Sequence, residues 1–141
     1  SFGGGYRQVY ELSKNKFKLE NEPYITATLT LTGAGFVLDS RNRLEYRHFD
    51  YKADSGRYRN KFTLKYPLRI ARFEVQPFLS DEVFFGFGGT NQFNQNRLSS
   101  GLGMNITKNI KAEIYYVLVT TKSSIGWSDA NVLGTKLKIA F

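Results

Sequence analysis

The sequence predicts an all-β fold: a closed antiparallel up-and-down transmembrane β-barrel of eight strands, built as a single β-barrel domain over residues 1–141. Three observations predict it. Apolar and polar side chains alternate with a period of two, the signature of a strand with two unlike faces. The chain is very aromatic, with 12 Phe and 9 Tyr, yet its mean hydropathy is −0.38. Lipid-facing and lumen-facing residues of a membrane strand alternate and cancel in such an average. No apolar run approaches the ~20 residues of a membrane helix, which excludes helical spans and leaves a barrel open.

In YRNKFTLKY, Tyr58, Asn60, Phe62, Leu64 and Tyr66 share one face, and Arg59, Lys61, Thr63 and Lys65 the other. After a break near Pro67 the parity exchanges, and Phe73, Val75, Pro77 and Leu79 alternate with Arg72, Glu74 and Gln76. Strands are predicted at 4–12, 16–31, 36–49, 57–67, 71–87, 93–106, 109–121 and 132–141. The third sets Asp39, Arg41, Arg43, Glu45 and Arg47 against Phe36, Leu38, Leu44 and Tyr46. The last sets Lys136 and Lys138 against Leu137, Ile139 and Phe141. LTGAG (31–35), PLRIA (67–71) and TKN (107–109) read as tight turns. DYKADSG (50–56), GGTNQFN (88–94) and KSSIGWSDAN (122–131) read as longer polar loops. Short turns at one end and longer loops at the other are the pattern of outer-membrane barrels.

Magnitude decides which face meets lipid. One Arg or Lys on the lipid side near the midplane costs ~2–4 kcal/mol. A face carrying most of the basic residues would exceed a whole fold's net stability of ~5–15 kcal/mol. The charged face is therefore expected to fill the lumen of a narrow barrel. Charges there must pair, because an unpaired buried charge costs several kcal/mol. The expected lumen ion-pair network comprises Arg41, Arg43, Glu45, Arg47, Arg57, Arg59, Lys61, Arg72, Glu74, Glu82, Arg97, Glu113 and Lys136, with Glu82 and Arg97 as one pair. It leaves little or no open channel.

Phe141 closes an alternating strand and reads as the terminal aromatic assembly signal of an outer-membrane barrel. Tyr6, Tyr10, Tyr24, Tyr46, Tyr58, Tyr66, Tyr116 and Trp127 read as interfacial aromatic girdles. His48 is the single histidine, sits where the third strand meets a loop and lacks the partners of a metal site, so it reads as an interfacial or loop residue. Asp81 and Glu82 are adjacent, and adjacent strand residues point to opposite faces, which spoils an acid/base pair. Asp81 on the apolar side requires a bulge or an interfacial depth. GFGG (86–89) lacks the spacing and following helix of a phosphate loop. The chain has no cysteine, hence no disulfide and no thiolate metal site. No catalytic, metal or cofactor-binding residue is assigned, and no enzymatic activity is expected.

The segments RNRLEYR (41–47), RYRNKF (57–62), DE (81–82) and FNQNR (93–97), with GYRQVYEL (5–12) and the closing aromatic, form a recognisable pattern. It resembles the DUF2490 family of bacterial outer-membrane β-barrel proteins, over nearly the whole chain. The resemblance implies a fold and a location in the outer membrane of a Gram-negative cell envelope, and supplies no reaction. Family members are longer, with further strands ahead of the point where this chain starts; such strands imply a wider barrel.

The leading expectation is a small, non-enzymatic barrel with a structural, anchoring or accessory role in an envelope complex. Its partners are the outer-membrane bilayer, the assembly machinery during biogenesis and other envelope proteins. The alternatives are a narrow pore or transporter for small anionic solutes, and a soluble lipocalin-like ligand-binding barrel. A nucleic-acid partner is not expected: the basic and aromatic residues alternate onto opposite faces, whereas binding needs both on one surface.

Overall fold

The computed structural model describes residues 1–13, 16–70, 73–88 and 92–139. It contains strands only: β1 (Phe2–Ser13), β2 (Lys16–Gly33), β3 (Phe36–Phe49), β4 (Ser55–Lys65), β5 (Leu68–Ile70), β6 (Phe73–Phe87), β7 (Gln92–Asn105), β8 (Ile110–Ser123) and β9 (Gly126–Ile139). All pair antiparallel, in the order β1-β2-β3-β4-β6-β7-β8-β9, with β5 on β6. The sheet curls into an open half-barrel. Among the described residues no pairing joins β9 back to β1, so the closed cylinder expected from the sequence is not what the structure contains.

The ninth strand has a simple origin. Lys65 stands opposite Phe78, the Tyr66 amide donates to the Pro77 carbonyl at 3.0 Å, and Leu68 stands opposite Val75. The register never slips, so β5 is β4 continued past Pro67. Pro77, opposite Tyr66, has no N–H to return that bond, while the N–H that Pro67 lacks would point away from β6, so the ladder loses one rung without turning. PLRIA is therefore not the tight turn that its proline suggests.

The connection after β8 is corrected in the opposite sense. KSSIGWSDAN is no long loop: β8 runs to Ser123, β9 begins at Gly126, and Ser124 and Ile125 join them. Ser123 Oγ accepts from the Ile125 amide at 3.3 Å and donates to the Gly126 carbonyl at 3.0 Å. The polarity of Ser128, Asp129 and Asn131 reflects a hairpin exposed on both faces. The β2–β3 hairpin turns on Ala34 and Gly35, both at positive φ (51° and 79°), as a two-residue turn matching strand twist demands.

Burial is inverted relative to a water-soluble domain. Among the described residues the buried apolar side chains are Phe49 and Phe84, while Glu22, Glu45, Ser80, Glu82 and Ser99 are buried and polar. On the convex side Ile25, Leu29, Leu44, Phe62, Leu79, Leu102, Ile114 and Leu137 are all exposed. The concave side accommodates its few large rings over glycines. The Tyr24 ring lies over Gly5, the Tyr115 ring over Gly134 and the tip of the Phe78 ring over Gly101. A Cβ on Gly101 would stand 2.4 Å from the Ile114 carbonyl oxygen, 2.7 Å from Tyr115 Cβ and 2.9 Å from Phe78 Cζ.

Gly101→Ala should therefore destabilise the sheet by ~1–3 kcal/mol through overpacking. Gly3→Ala, with nothing within 4 Å of its Cβ, should stay within ~0.5 kcal/mol. Urea midpoints of the two variants in a neutral detergent check this, and equal midpoints would contradict the packing.

Candidate functional site

Strand register brings the charges together. Arg7 stands opposite Glu22, and Glu45 opposite Arg57, on the concave side of neighbouring strands. Arg57 and Arg59 then each reach two carboxylates. Arg57 bridges Glu22 at 3.0 Å and Glu45 at 2.5 Å. Arg59 bridges Glu45 at 3.0 Å and Glu82 at 2.9 Å. Arg41 reaches Glu82 at 3.3 Å, Arg47 reaches Glu22 at 3.2 Å and also bonds Glu20, and Arg43 approaches Glu45 at 3.7 Å. The result is a continuous ladder, Arg7–Glu22–Arg57–Glu45–Arg59–Glu82–Arg41, running across strands β1 to β6. The three carboxylates are 1%, 2% and 5% exposed. Charge-assisted, partly bidentate bonds are what allow carboxylates to be buried so fully.

Phe84 closes this half from below. Its ring lies 4.7 Å from the Arg59 guanidinium carbon, 4.8 Å from that of Arg97 and 5.9 Å from that of Arg57. Cations favour the negative ring face, so one buried phenyl group spaces three guanidinia. A β-bulge between Phe84 and Phe85 sets its position.

The other half of the concave face is organised differently. Glu113 pairs with Lys138 at 2.7 Å and Lys111 at 3.8 Å, and Asp39 pairs with Lys65. Lys61, Arg97 and Lys136 face the same cavity, and among the described residues none of them has a carboxylate within ion-pair distance. Arg97 stands opposite Glu82 in the register, but Glu82 is occupied by Arg41 and Arg59, and Arg97 stacks on Phe84 instead. Glu74 belongs to the rim: it is half exposed and bonds Arg69 and Asn105. Arg72 and Phe141 lie outside the described residues.

Glu20, Glu22 and Arg7 complete the ladder, although the alternation places them on the polar face without marking them as its hub. The Arg7–Glu22 register was the missing signal. Phe84 was hidden because VFFGF does not alternate. Among the girdle candidates, Tyr24 is a concave-side residue under the Arg43 guanidinium at 4.1 Å, and Tyr116 sits mid-strand, where its hydroxyl donates to Asn131 at 2.5 Å. Asp81 needs no bulge of its own, since Asn96 donates to it at 2.6 Å.

His48 belongs to a loop clasp. Its Nδ1 lies 2.9 and 3.0 Å from the two Asp54 oxygens, the Tyr46 hydroxyl donates to Asp54 at 2.6 Å, and the Phe49 amide donates at 3.2 Å. The Tyr46 hydrogen bond, followed by that of His48, lowers the Asp54 carboxyl to about 2. This folded value lies below the ordinary 3.8 of the unfolded chain, so the clasp is at full strength above about pH 3.8 and is lost as pH falls through about 2. Hydrogen exchange of the Phe49 amide should stay protected at pH 4 and lose protection near pH 2, and Asp54→Asn should remove that pH dependence.

The ladder carries a second expectation. Glu45→Gln leaves Arg57 and Arg59 with one carboxylate each and should cost ~3–5 kcal/mol. Glu74→Gln at the exposed rim should cost at most ~1 kcal/mol. Denaturant midpoints compare the two, and equal losses would mean the ladder is not the main charged support.

Comparison with known proteins places the chain by sequence. Neither the search of curated proteins nor that of solved structures gives a match. A family model described as "Protein of unknown function (DUF2490)" matches residues 1–130. With that match covering most of its length, the chain belongs to the DUF2490 family.

Proposed function

We propose that this chain is an outer-membrane β-barrel protein, closed by pairing of β9 with β1. Its convex side meets lipid and its ion-paired concave side becomes the lumen. Its role is non-enzymatic: an anchoring or accessory element of the cell envelope, inserted by the assembly machinery and open to other envelope proteins.

One observation carries the reading: exposed apolar side chains cover the convex face while buried carboxylates and the partly exposed guanidinia that pair with them fill the concave one. In water that distribution is unfavourable on both sides. In a bilayer the apolar side is solvated by acyl chains and the charges stay away from them.

The convex side also has a polar limit. Toward the end carrying the 50–54 loop, its side chains form hydrogen-bonded sets: Gln8 and Tyr6 on Asn21, Tyr58 and Asn60 on Asn42, Asn96 on Asp81. Toward the end carrying the termini, the convex side of β8 runs from Ile110 to Leu118 with Ala112, Ile114 and Tyr116 between, the Tyr116 hydroxyl bonded to Asn131. About nine residues rising ~3.3 Å each, tilted by ~40°, span roughly 23 Å, close to the ~25 Å apolar band of such barrels. The terminal end is thus the embedded one in this proposal, and the upper parts of the strands stand clear of the bilayer.

Purified protein folded in detergent should migrate faster in SDS before boiling than after, and should precipitate or stay unfolded in plain buffer. Ready folding without detergent would overturn the membrane reading. In a planar bilayer the ladder predicts a silent barrel; stepwise conductance would replace the structural role with transport.

A further inference from the structure

The concave face is not uniform, and its terminal half has the chemistry of a binding site. A cavity of about 630 Å³ opens there between β3 and β9. Its charged lining is basic in excess: Arg41, Lys61, Lys65, Arg97, Lys111, Lys136 and Lys138 face Asp39, Glu82 and Glu113. The acidic groups are already engaged, by Lys65, by Arg41 and Arg59, and by Lys111 and Lys138. Three cations are left over. Lys61 feels the attraction of Glu82, which Arg41 and Arg59 already hold, and the repulsion of Arg41 and Lys136. Arg97 Nε is buried with no hydrogen-bond partner. Lys61 and Arg97 are partly buried and Lys136 is exposed, and the excess of cations over the shared carboxylates favours an anion among them.

Beside these cations the wall turns apolar. Val119 stands directly across the ladder from Arg97, and Val117 directly across from Val132 on the next strand. Val117, Val119 and Val132 point into the cavity, on the side that is charged elsewhere along the sheet. The hydroxyl-bearing Thr63 and Ser99 also line the cavity, Ser99 directly across the ladder from Val117. A cationic head site with donors, continuous with an apolar wall, fits an anion that carries a hydrocarbon tail. The volume is in the range of small-molecule sites.

We propose that this cavity binds a single-tailed amphipathic carboxylate, its head held by Lys61, Arg97 and Lys136 and its tail laid along Val117, Val119 and Val132. The proposal goes beyond the membrane reading. Its residues sit on contiguous strands β4 to β9, so it holds whether or not the sheet's outer edges meet.

The test uses the full chain folded in a neutral maltoside detergent, with valine methyls labelled for NMR and decanoate, decan-1-ol and inorganic phosphate as probes. Decanoate should shift the Val117, Val119 and Val132 methyls saturably. Decan-1-ol should bind at least tenfold more weakly, and phosphate alone should leave those methyls unmoved. Arg97→Met and Lys61→Met should each weaken decanoate at least fivefold. Neither orphans a carboxylate, so folding should survive, as heat-modifiable migration would verify. Val117→Trp, which fills the wall and leaves every charge in place, should abolish the shifts. Equal binding of decanoate and decan-1-ol, binding unchanged within twofold in Arg97→Met and Lys61→Met, or undiminished binding in Val117→Trp would each overturn the proposal. Phosphate matching decanoate would make the site one for a bare anion and overturn the role of the tail. Loss of folding in detergent would instead count against the barrel reading.

Discussion

The structure depends on one constraint: charges turned into the hollow of a curled sheet must neutralise each other there. Curling brings concave side chains of neighbouring strands closer together than their backbones are, and reduces their access to water. Coulomb attraction grows in that environment, but so does the penalty for any charge left alone. Glu22, Glu45 and Glu82 meet the constraint by each being shared between guanidinia from different strands. Sharing also limits entropy loss, since Arg57 and Arg59 are each immobilised once and serve two carboxylates. The ladder thereby fixes the lateral relation of β1 to β6 by side chains as well as by backbone bonds.

Space imposes a second condition on the same face. A concave wall cannot hold a large residue at every inward position. The rings of Tyr24, Phe78 and Tyr115 are accepted where Gly5, Gly101 and Gly134 respectively remove a neighbouring side chain. Pairing an inward aromatic with a cross-strand glycine is a known means of bending and packing a β-sheet. Phe84 does the same work differently, by filling the space under the arginines with a ring whose face attracts them. Electrostatics and packing are thus coupled at the level of individual rows of the ladder.

Much of this was legible in the sequence, for a definite reason. A period of two reports which face a residue occupies, and so the strands at 36–49 and 93–106 match β3 and β7 almost to the residue. Alternation does not report which residue lies across the ladder. Glu82 and Arg97 are register partners that the sequence suggested as an ion pair, yet Glu82 is claimed by Arg41 and Arg59 from the other side. Turn chemistry misled in both directions. Pro67 suggested a turn where the strand runs straight on and loses one ladder rung opposite Pro77, and the polar run at 122–131 suggested a loop where a hairpin stands exposed on both faces. Polarity measures contact with water, and a strand wet on both sides looks like a loop.

The edges of β1 and β9, unpaired among the described residues, bear on the same physics. An unpaired strand edge presents a row of N–H and C=O groups. In water those groups are solvated and the edge is tolerable, but the exposed Leu133, Leu137 and Ile139 beside it on β9 are not well placed. In a bilayer the apolar side chains are at home, and each unsatisfied backbone group costs several kcal/mol. No single environment suits both an open edge and an apolar convex face. Either the edges meet and the convex face lies in lipid, or the sheet remains open and some other surface must cover its hydrocarbon side. Closure and membrane insertion are therefore one question in this protein, and evidence for either one bears directly on the other.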